Sequence, residues 1–538
     1  MKNTENSKIF SYDVFDTLLT RSVINPSSIL LLVRDRLIND RKFSDIPRNL
    51  AYHIHEIRSH YEVAPPKCFS LHDIYSSIEK NYSLTRKQAL AIQRLEEDLE
   101  VLSIVPILER IHEVECHISQ GERVIFISDM VLGEEVLRRM LKKLSPLFAN
   151  VPLYVSSVYK ATKNQGDLFD VVRKLENISD ETWIHTGDDR TADFLSPMKK
   201  NIKARLIEKY KITGFERYIS KAEETSPYVH YLLGCAKNSR FFHQELDKNY
   251  KFHAGLVGAQ LFIPYVEWVL DICTQRNVEH LLFISRDGYI PKLIADKIIA
   301  IKNLKIATSY FYGSRLAWRN EKDALKIQYY SKNIQGDCGK YAFVDLFGSG
   351  ESLNTLMEHS QEKDISRISC FYFGDIVNGV HKFDWTRFSF APFISTNDRI
   401  EIFGKSPEGS CLGYEINSEH KIVPKIDNEE TEALTKFGFG EFVQGVNCFL
   451  DFYCKNYSLL ELINKDTDQA ARIFMEKITF LPSMYELKYL MNFPRFPKNL
   501  IKYNLISNNS RIARSYLKKI KYIFRTIGRK RLFSVLRD

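Results

Sequence analysis

The chain lacks the features that would set it apart from ordinary globular proteins. Its nine cysteines (positions 68, 116, 235, 273, 338, 370, 411, 448 and 454) include no CxxC pair. That excludes the paired-thiol spacing of a zinc cage and leaves reduced, structural thiols of a cytoplasmic protein as the expectation. The N-terminus, MKNTENSKIF, has no apolar run of the kind a signal peptide needs, so no export is expected. A clean membrane-length run is missing too. The most apolar window, residues 254–272, is broken by Gln260, Pro264, Glu267 and Asp271 and predicts a buried helix. No short-period repeat or low-complexity tract is visible.

What is present is a soluble-protein balance, with 44% hydrophobic and 27% charged residues over 538 positions. That length exceeds one core and predicts two to four domains. The formal charge of +9 is uneven: residues 511–538 hold ten Lys or Arg and a single acid. There Leu517, Ile520, Ile523, Phe524, Ile527, Leu532 and Phe533 interleave with the basic residues. Such a basic amphipathic helix suits the surface of an anionic membrane, the inner face for a cytoplasmic protein. Packing on the body of the protein or on a partner is the alternative. Nothing else resembles a nucleic-acid module, and no nucleic-acid partner is expected.

Along the chain, IFSY predicts a strand that ends in Asp13. Residues 22–118 then read as an all-helical insert without a convincing strand; Ala89, Ile92, Leu95, Leu99 and Leu102 recur at the spacing of one helix face. From Gly121 the α/β alternation returns with RVIFIS, LYVSSVY and WIHTGDD, each followed by a helix or turn pattern. Residues 1–212 are therefore predicted as a doubly wound parallel sheet interrupted after its first strand. A polar helical connector is expected at 213–250. A second α/β domain follows at 251–400, and 401–538 reads as mixed and then helical. The aromatic-rich segment 382–425 gives no clear pattern.

The chemistry gathers at strand ends, where open α/β sheets hold their ligands. Asp13-Val-Phe-Asp16-Thr17 closes the first strand, Ser128 closes VIFIS, Lys163 opens KNQGDLF, and Gly187-Asp188-Asp189 is followed by Asp193. Taken singly, each is an ordinary turn residue or surface lysine. In this order they resemble the haloacid dehalogenase (HAD) superfamily, and the resemblance covers residues 1 to about 212, with the insert standing where that superfamily carries a helical cap. It implies a HAD-like Rossmannoid sheet and a nucleophilic Asp13 that forms an aspartyl-phosphate. It further implies Mg²⁺ held by Asp13, Asp188 and Asp193, with Asp189 as a further candidate, and phosphate held by Thr17, Ser128 and Lys163. Asp13 and Lys163 would be the catalytic pair.

The sequence departs from HAD phosphatases at Phe15, where they carry the aspartate that protonates the leaving oxygen. Asp16 either substitutes for that acid or bonds the turn backbone. DVFDTLLTR, FISDM and KNQGDLF are similar to a branch of bacterial predicted HAD hydrolases associated with glycosyltransferases. Membership would imply a phosphorylated sugar, polyol or glycan precursor as substrate, surface-polysaccharide biosynthesis as the context, and glycosyltransferases as partners.

In the second α/β domain, Arg286-Asp287-Gly288 ends one strand, and Asp345-Leu-Phe-Gly348-Ser349-Gly350 ends another. Arg286, Asp287, Asp345 and Ser349 are ligand candidates: small residues there suit a phosphate cradle at a helix N-terminus, and they suit equally a pair of tight structural turns. The two loops are loosely similar to those of type I phosphoribosyltransferases, with Leu346 where a second acid would stand. A transferase centred on this domain, and a non-catalytic protein that binds a phosphorylated ligand, are thus the alternatives to a phosphohydrolase or phosphotransferase.

Overall fold

The computed structural model describes residues 8–494, apart from 64–69, 180–181, 223–224, 320–323, 335–337, 361–363, 378–380 and 393–397. The basic stretch 511–538 lies outside them. The described residues form two compact units: the first comprises those up to 212 with 230–241 and 456–464, and the second comprises the rest.

In the first unit, β1 (Lys8–Tyr12) is followed by β2 (Leu19–Arg21) and four helices, α1 (Ser28–Asn39), α2 (Arg48–Val63), α3 (Leu71–Asn81) and α4 (Arg86–Leu102). Next come β3 (Ile104–Pro106), α5 (Leu108–Ser119), β4 (Arg123–Ser128), α6 (Glu134–Leu144) and β5 (Leu153–Val155). A helix at Asp167–Leu175 leads to β6 (Thr182–Gly187), and β7 (Lys203–Leu206) ends the sheet. The sheet order is β5-β4-β1-β6-β7, and every pairing is parallel. The first strand is thus the central one, with Ile9 opposite both Arg123 and Trp183. Ile9, Ile125, Ile127, Leu168, Phe169, Val172 and Trp183 pack one face of it. Burial on both faces explains why RVIFIS reads as a continuous apolar run.

The helical insert differs from the expectation in two ways. It contains a strand: β2 and β3 pair antiparallel, Leu19 opposite Pro106 and Arg21 opposite Ile104. Three residues on each side are too few for a period-2 signal. Helix α5 also packs on the sheet, where the Tyr12 hydroxyl bonds Glu113 at 2.9 Å and Phe10 stacks on His117 at 3.8 Å. Capping boxes set the starts of α3 (Ser70 with Asp73) and α4 (Thr85 with Gln88). On α4, Ala89, Ile92 and Leu99 are buried as the pattern requires, and so are Glu96 and Glu100. These carboxylates go inside because Arg58 bonds Glu96 at 2.9 Å and Arg21 bonds Glu100 at 2.8 Å.

The expected polar connector holds a helix, Pro227–Phe242, whose middle is buried. Lys237 donates to the Arg21 and Val23 carbonyls, and Gly234 is required because a Cβ there would stand 2.0 Å from the Ser22 carbonyl oxygen.

The second unit has its own parallel sheet. Strands β8 (His280–Ile284), β9 (Ala307–Phe311), β10 (Tyr341–Asp345), β11 (Ser369–Gly374) and β12 (Thr386–Ala391) lie in the order β12-β11-β10-β8-β9. The segment without a clear pattern supplies β12 and most of an antiparallel hairpin, β13 (Cys411–Ile416) with β14 (Ile422–Ile426). Helices Asn428–Phe437, Gly440–Lys455, Thr467–Phe480 and Met484–Asn492 follow. Helix Tyr250–Gln275 is long and apolar enough to cross a membrane, but 83% of its most apolar window is buried within the protein. Its Glu267 is fully buried and accepts from Tyr453 at 2.7 Å, Lys465 at 2.9 Å and Lys302. All eight cysteines among the described residues are free thiols.

Candidate active site

Each strand that flanks β1 delivers a polar group to the same carboxyl edge of the sheet. Asp13 follows β1 with its backbone N–H bonded to the Thr186 carbonyl at 2.9 Å, Ser128 ends β4, and Asp188 follows β6. Lys163 arrives from the loop before helix Asp167–Leu175. Asp129 accepts its backbone N–H at 2.8 Å, and Ser196 Oγ donates to its carbonyl at 2.5 Å. A turn at Arg190–Leu195 places Asp193. These residues, with Phe15, Asp16 and Lys209, line a cavity of about 430 Å³.

Lys163 is the centre of the cluster. Its Nζ lies 2.5 Å from Asp13 Oδ1 and 2.6 Å from Asp193 Oδ1, all three side chains being buried. One carboxylate oxygen from each of Asp13, Asp188 and Asp193 falls within 4.8 Å of the others. Burial pushes the Asp13 carboxyl well up; Lys163 opposes this, and the charges of Asp193 and Asp188 add to it. Burial also pushes Asp193 up, but Lys163 and then His185 hold it well below the usual carboxylate range. The Lys163 ammonium, which burial alone would lower, is held raised by Asp13, Asp193 and Asp129.

A directed hydrogen-bond chain stands behind Asp193. The ionised Asp193 carboxylate can only accept, so His185 Nε2 carries the ring proton and donates to Asp193 Oδ1 at 3.1 Å. In the neutral ring Nδ1 then accepts from the Ser11 hydroxyl at 2.8 Å, and Ser11 Oγ in turn accepts the Trp183 indole N–H at 2.7 Å. Burial lowers His185 and keeps it neutral in this role. Gly187 makes room for the arrangement, since a Cβ there would meet Asp193 Cγ at 2.4 Å.

The remaining candidates sort as follows. Thr17 is buried and donates to Asp13 Oδ2 at 3.4 Å. Ser128 is buried and lines the cavity. Asp189 lines the cavity, and its Oδ1 accepts the Thr191 and Ala192 backbone N–H groups at 2.8 Å each, capping the turn that carries Asp193. Asp16 sits at φ +58° and accepts from Thr20 Oγ1 at 2.8 Å, so it bonds a side chain rather than the turn backbone. In the second unit, Asp345 ends β10, while Arg286 and Asp287 follow β8 and are engaged in ion pairs with Glu430 (3.1 Å) and Lys405 (2.5 Å). Ser349 Oγ accepts from the Glu351 N–H at 3.4 Å.

Two site residues were invisible in the sequence. Lys209 Nζ lies 2.7 Å from Asp188 Oδ2 and 3.7 Å from Asp16 Oδ2. It follows an edge strand in an irregular segment, where no motif marks it. His185 reads simply as one position of a buried strand.

The residues suit a hard divalent cation. Three carboxylates converge, one oxygen of each within 4.8 Å of the others, and the one cation facing Asp188 Oδ2 among the described residues is the half-exposed Lys209, 2.7 Å away. Burial, with the charges of Asp16 and Asp193, pushes the Asp188 carboxyl up against the pull of Lys209, so added positive charge is favoured there.

No family model matches the chain, and no curated protein matches it. Among solved structures it is similar to a hydrolase from Pseudomonas syringae, with 15% identity and a TM-score of 0.23, over 36% of this chain and 82% of that one.

Proposed function

We propose that the first unit is a HAD-type phosphohydrolase or phosphotransferase that works through an aspartyl-phosphate on Asp13. The observation that supports this most is the meeting of Asp13, Asp188 and Asp193 around Lys163 at the carboxyl edge of a parallel sheet. Mg²⁺ bound by these three carboxylates would offset the repulsion between Asp13 and a phosphate dianion.

The protein's own groups do the rest. Asp13 Oδ attacks phosphorus, the bond to the leaving oxygen breaks, and the phosphoryl group rests on the carboxylate until water or an acceptor hydroxyl takes it. Lys163 bonds the attacking carboxylate and, with Ser128 and the Thr17 hydroxyl, faces the charge that develops on the phosphoryl oxygens. His185 holds Asp193, which holds Lys163. Phe15 supplies no proton, so a leaving group that departs as a stable anion is favoured. The resemblance makes phosphorylated sugars, polyols or glycan precursors the substrate class, with glycosyltransferases of the same pathway as partners in the cytoplasm.

Release of phosphate from a panel of sugar phosphates and nucleotide sugars, with and without Mg²⁺, is the test. Turnover should need Mg²⁺ and vanish in Asp13→Asn; full activity in that variant sinks the proposal. A second reading, a protein that binds a phosphorylated ligand without turnover, is favoured by Phe15 at the acid position. Saturable binding with no phosphate release would establish it.

A further inference from the structure

Three described residues at or just before the start of β12 hold buried polar atoms that find no hydrogen-bonding partner in the protein: Arg387, Trp385 and His381. Arg387 is the costliest. Its side chain is 5% exposed, and Nε, Nη1 and Nη2 all lack a hydrogen bond. Its charge is balanced by Asp375, whose Oδ1 stands 3.7 Å from Nε, a distance for charge pairing and not for hydrogen bonding. A desolvated guanidinium with idle donors costs several kcal/mol in general, so a site that retains one invites a ligand rich in acceptors.

The surroundings match that need. Arg387 Cζ lies 3.8 Å from the centroid of the Tyr372 ring. The same ring packs on Gly348, where a Cβ would meet Tyr372 Cε1 at 2.9 Å. Two residues along, Gly350 at φ +87° lies against Trp385, a Cβ there falling 2.6 Å from Cζ2 and 2.8 Å from Cη2 of the indole. Trp385 is 1% exposed, and that N–H is idle. Residues two apart across the start of a strand share a face, so Arg387 stands on the face of β12 from which Trp385 meets the Gly348-Ser349-Gly350 turn. This turn opens a ten-residue helix, Glu351–Ser360, whose first turn has N–H groups without intrahelical acceptors, that of Glu351 being taken by Ser349 Oγ at 3.4 Å. The helix's own acid, Glu351, is held by Arg319 at 2.8 Å.

We infer that the Gly348-Ser349-Gly350 turn, the Arg387 guanidinium and the Trp385 indole N–H form a binding site for the phosphate group of a small molecule, separate from the reaction proposed for the first unit. Backbone donors at the helix start and the fork of Arg387 supply the two kinds of contact that phosphate takes. The nearby Asp345 carboxyl is pushed up to about 8, by burial first and the Asp287 charge second, so it does not repel an anion at neutral pH.

The chain's tryptophans at 183, 268, 318 and 385 allow a residue-specific test. The full-length protein would be labelled with fluorotryptophan, and the Trp385 ¹⁹F resonance assigned with Trp385→Phe. It would then be titrated with inorganic phosphate, a hexose phosphate, and chloride at matched ionic strength. A saturable shift of the Trp385 signal with the phosphates and not with chloride is expected. Trp183 reports the first unit separately, so failure of one reading does not mimic failure of the other. Arg387→Met should weaken the response at least ~10-fold while the other three resonances stay in place. Should that variant not fold, Ser349→Asp, which sets a carboxylate on the half-exposed turn, should give the same loss. A hexose phosphate that moves Trp385 where inorganic phosphate does not would also support the site, and would show that the sugar adds contacts. The inference is overturned if Trp385 stays unmoved up to ~10 mM of both phosphates, or if the response survives both Arg387→Met and Ser349→Asp.

Discussion

The Arg21 guanidinium lies 4.2 Å from the centroid of the Phe15 ring while its Nε and Nη2 bond both oxygens of Glu100, at 2.8 and 3.1 Å. The aromatic ring at the position of the missing acid is therefore fixed in place by a cation that α4 holds from behind. Phe15→Asp would set a carboxylate beside that cation and restore a proton donor. The variant should hydrolyse alkyl phosphates, whose leaving groups need a proton, ~10²-fold faster or more, and p-nitrophenyl phosphate little faster. Equal effects on the two substrates would count against Phe15 as the cause of slow turnover.

Magnesium should stabilise the first unit. Binding to the folded state alone raises stability by about 2.7 kcal/mol at a hundredfold excess over Kd. The thermal midpoint should rise with MgCl₂ in the wild type, and the rise should be lost in Asp188→Asn. An equal rise in both proteins would place the ion elsewhere.

Gly187→Ala tests the seat of Asp193. Its Cβ would collide with the Asp193 carboxyl, 2.4 Å from Cγ, and push it away from Lys163 and His185. Magnesium affinity, read from the same thermal shift, should fall ~10–100-fold, with the far-ultraviolet dichroism unchanged. Undiminished affinity would remove Asp193 from the metal's surroundings.

Asp345 should make the second unit less stable as the solution becomes alkaline. Its carboxyl is raised from 3.8 to about 8, chiefly by burial, so the folded state holds a proton there that the unfolded chain releases above pH ~4. Stability from this group is present below the unfolded value and is lost as pH climbs through the folded one. Asp345→Asn should therefore gain at least ~1.4 kcal/mol relative to the wild type between pH 5 and 8.5, measured by urea denaturation at the two values. A constant difference between the proteins would contradict it.

What could be read in advance follows from the reach of each signal. Asp13, Ser128, Asp188 and Asp193 stand within a few residues of apolar runs long enough to be strands, so their common edge was legible from the chain. Lys163 was legible only through the resemblance of KNQGDLF, with Phe169 six residues on, to the superfamily's lysine motif. Lys209, His185 and Arg387 owe their surroundings to segments far away in sequence, and nothing local distinguishes them. Glu96, Glu100 and Glu267 run against the hydrophobic pattern because each has a cationic partner inside the fold. The paired strand among the described residues of the insert, Ile104–Pro106, was too short to carry a period.

That short ribbon has a wider consequence. With Arg21 standing opposite Ile104 in the ribbon, and Ser22 N–H bonded to the Ser103 carbonyl at 2.7 Å, the two ends of the helical insert are already neighbours. Whatever chain runs between them adds no strain to the sheet below. A two-residue turn would close the same gap, and so would a bundle of different size. The helical insert is in this sense an exchangeable module: its size can change without disturbing the groups set into the carboxyl edge of the sheet.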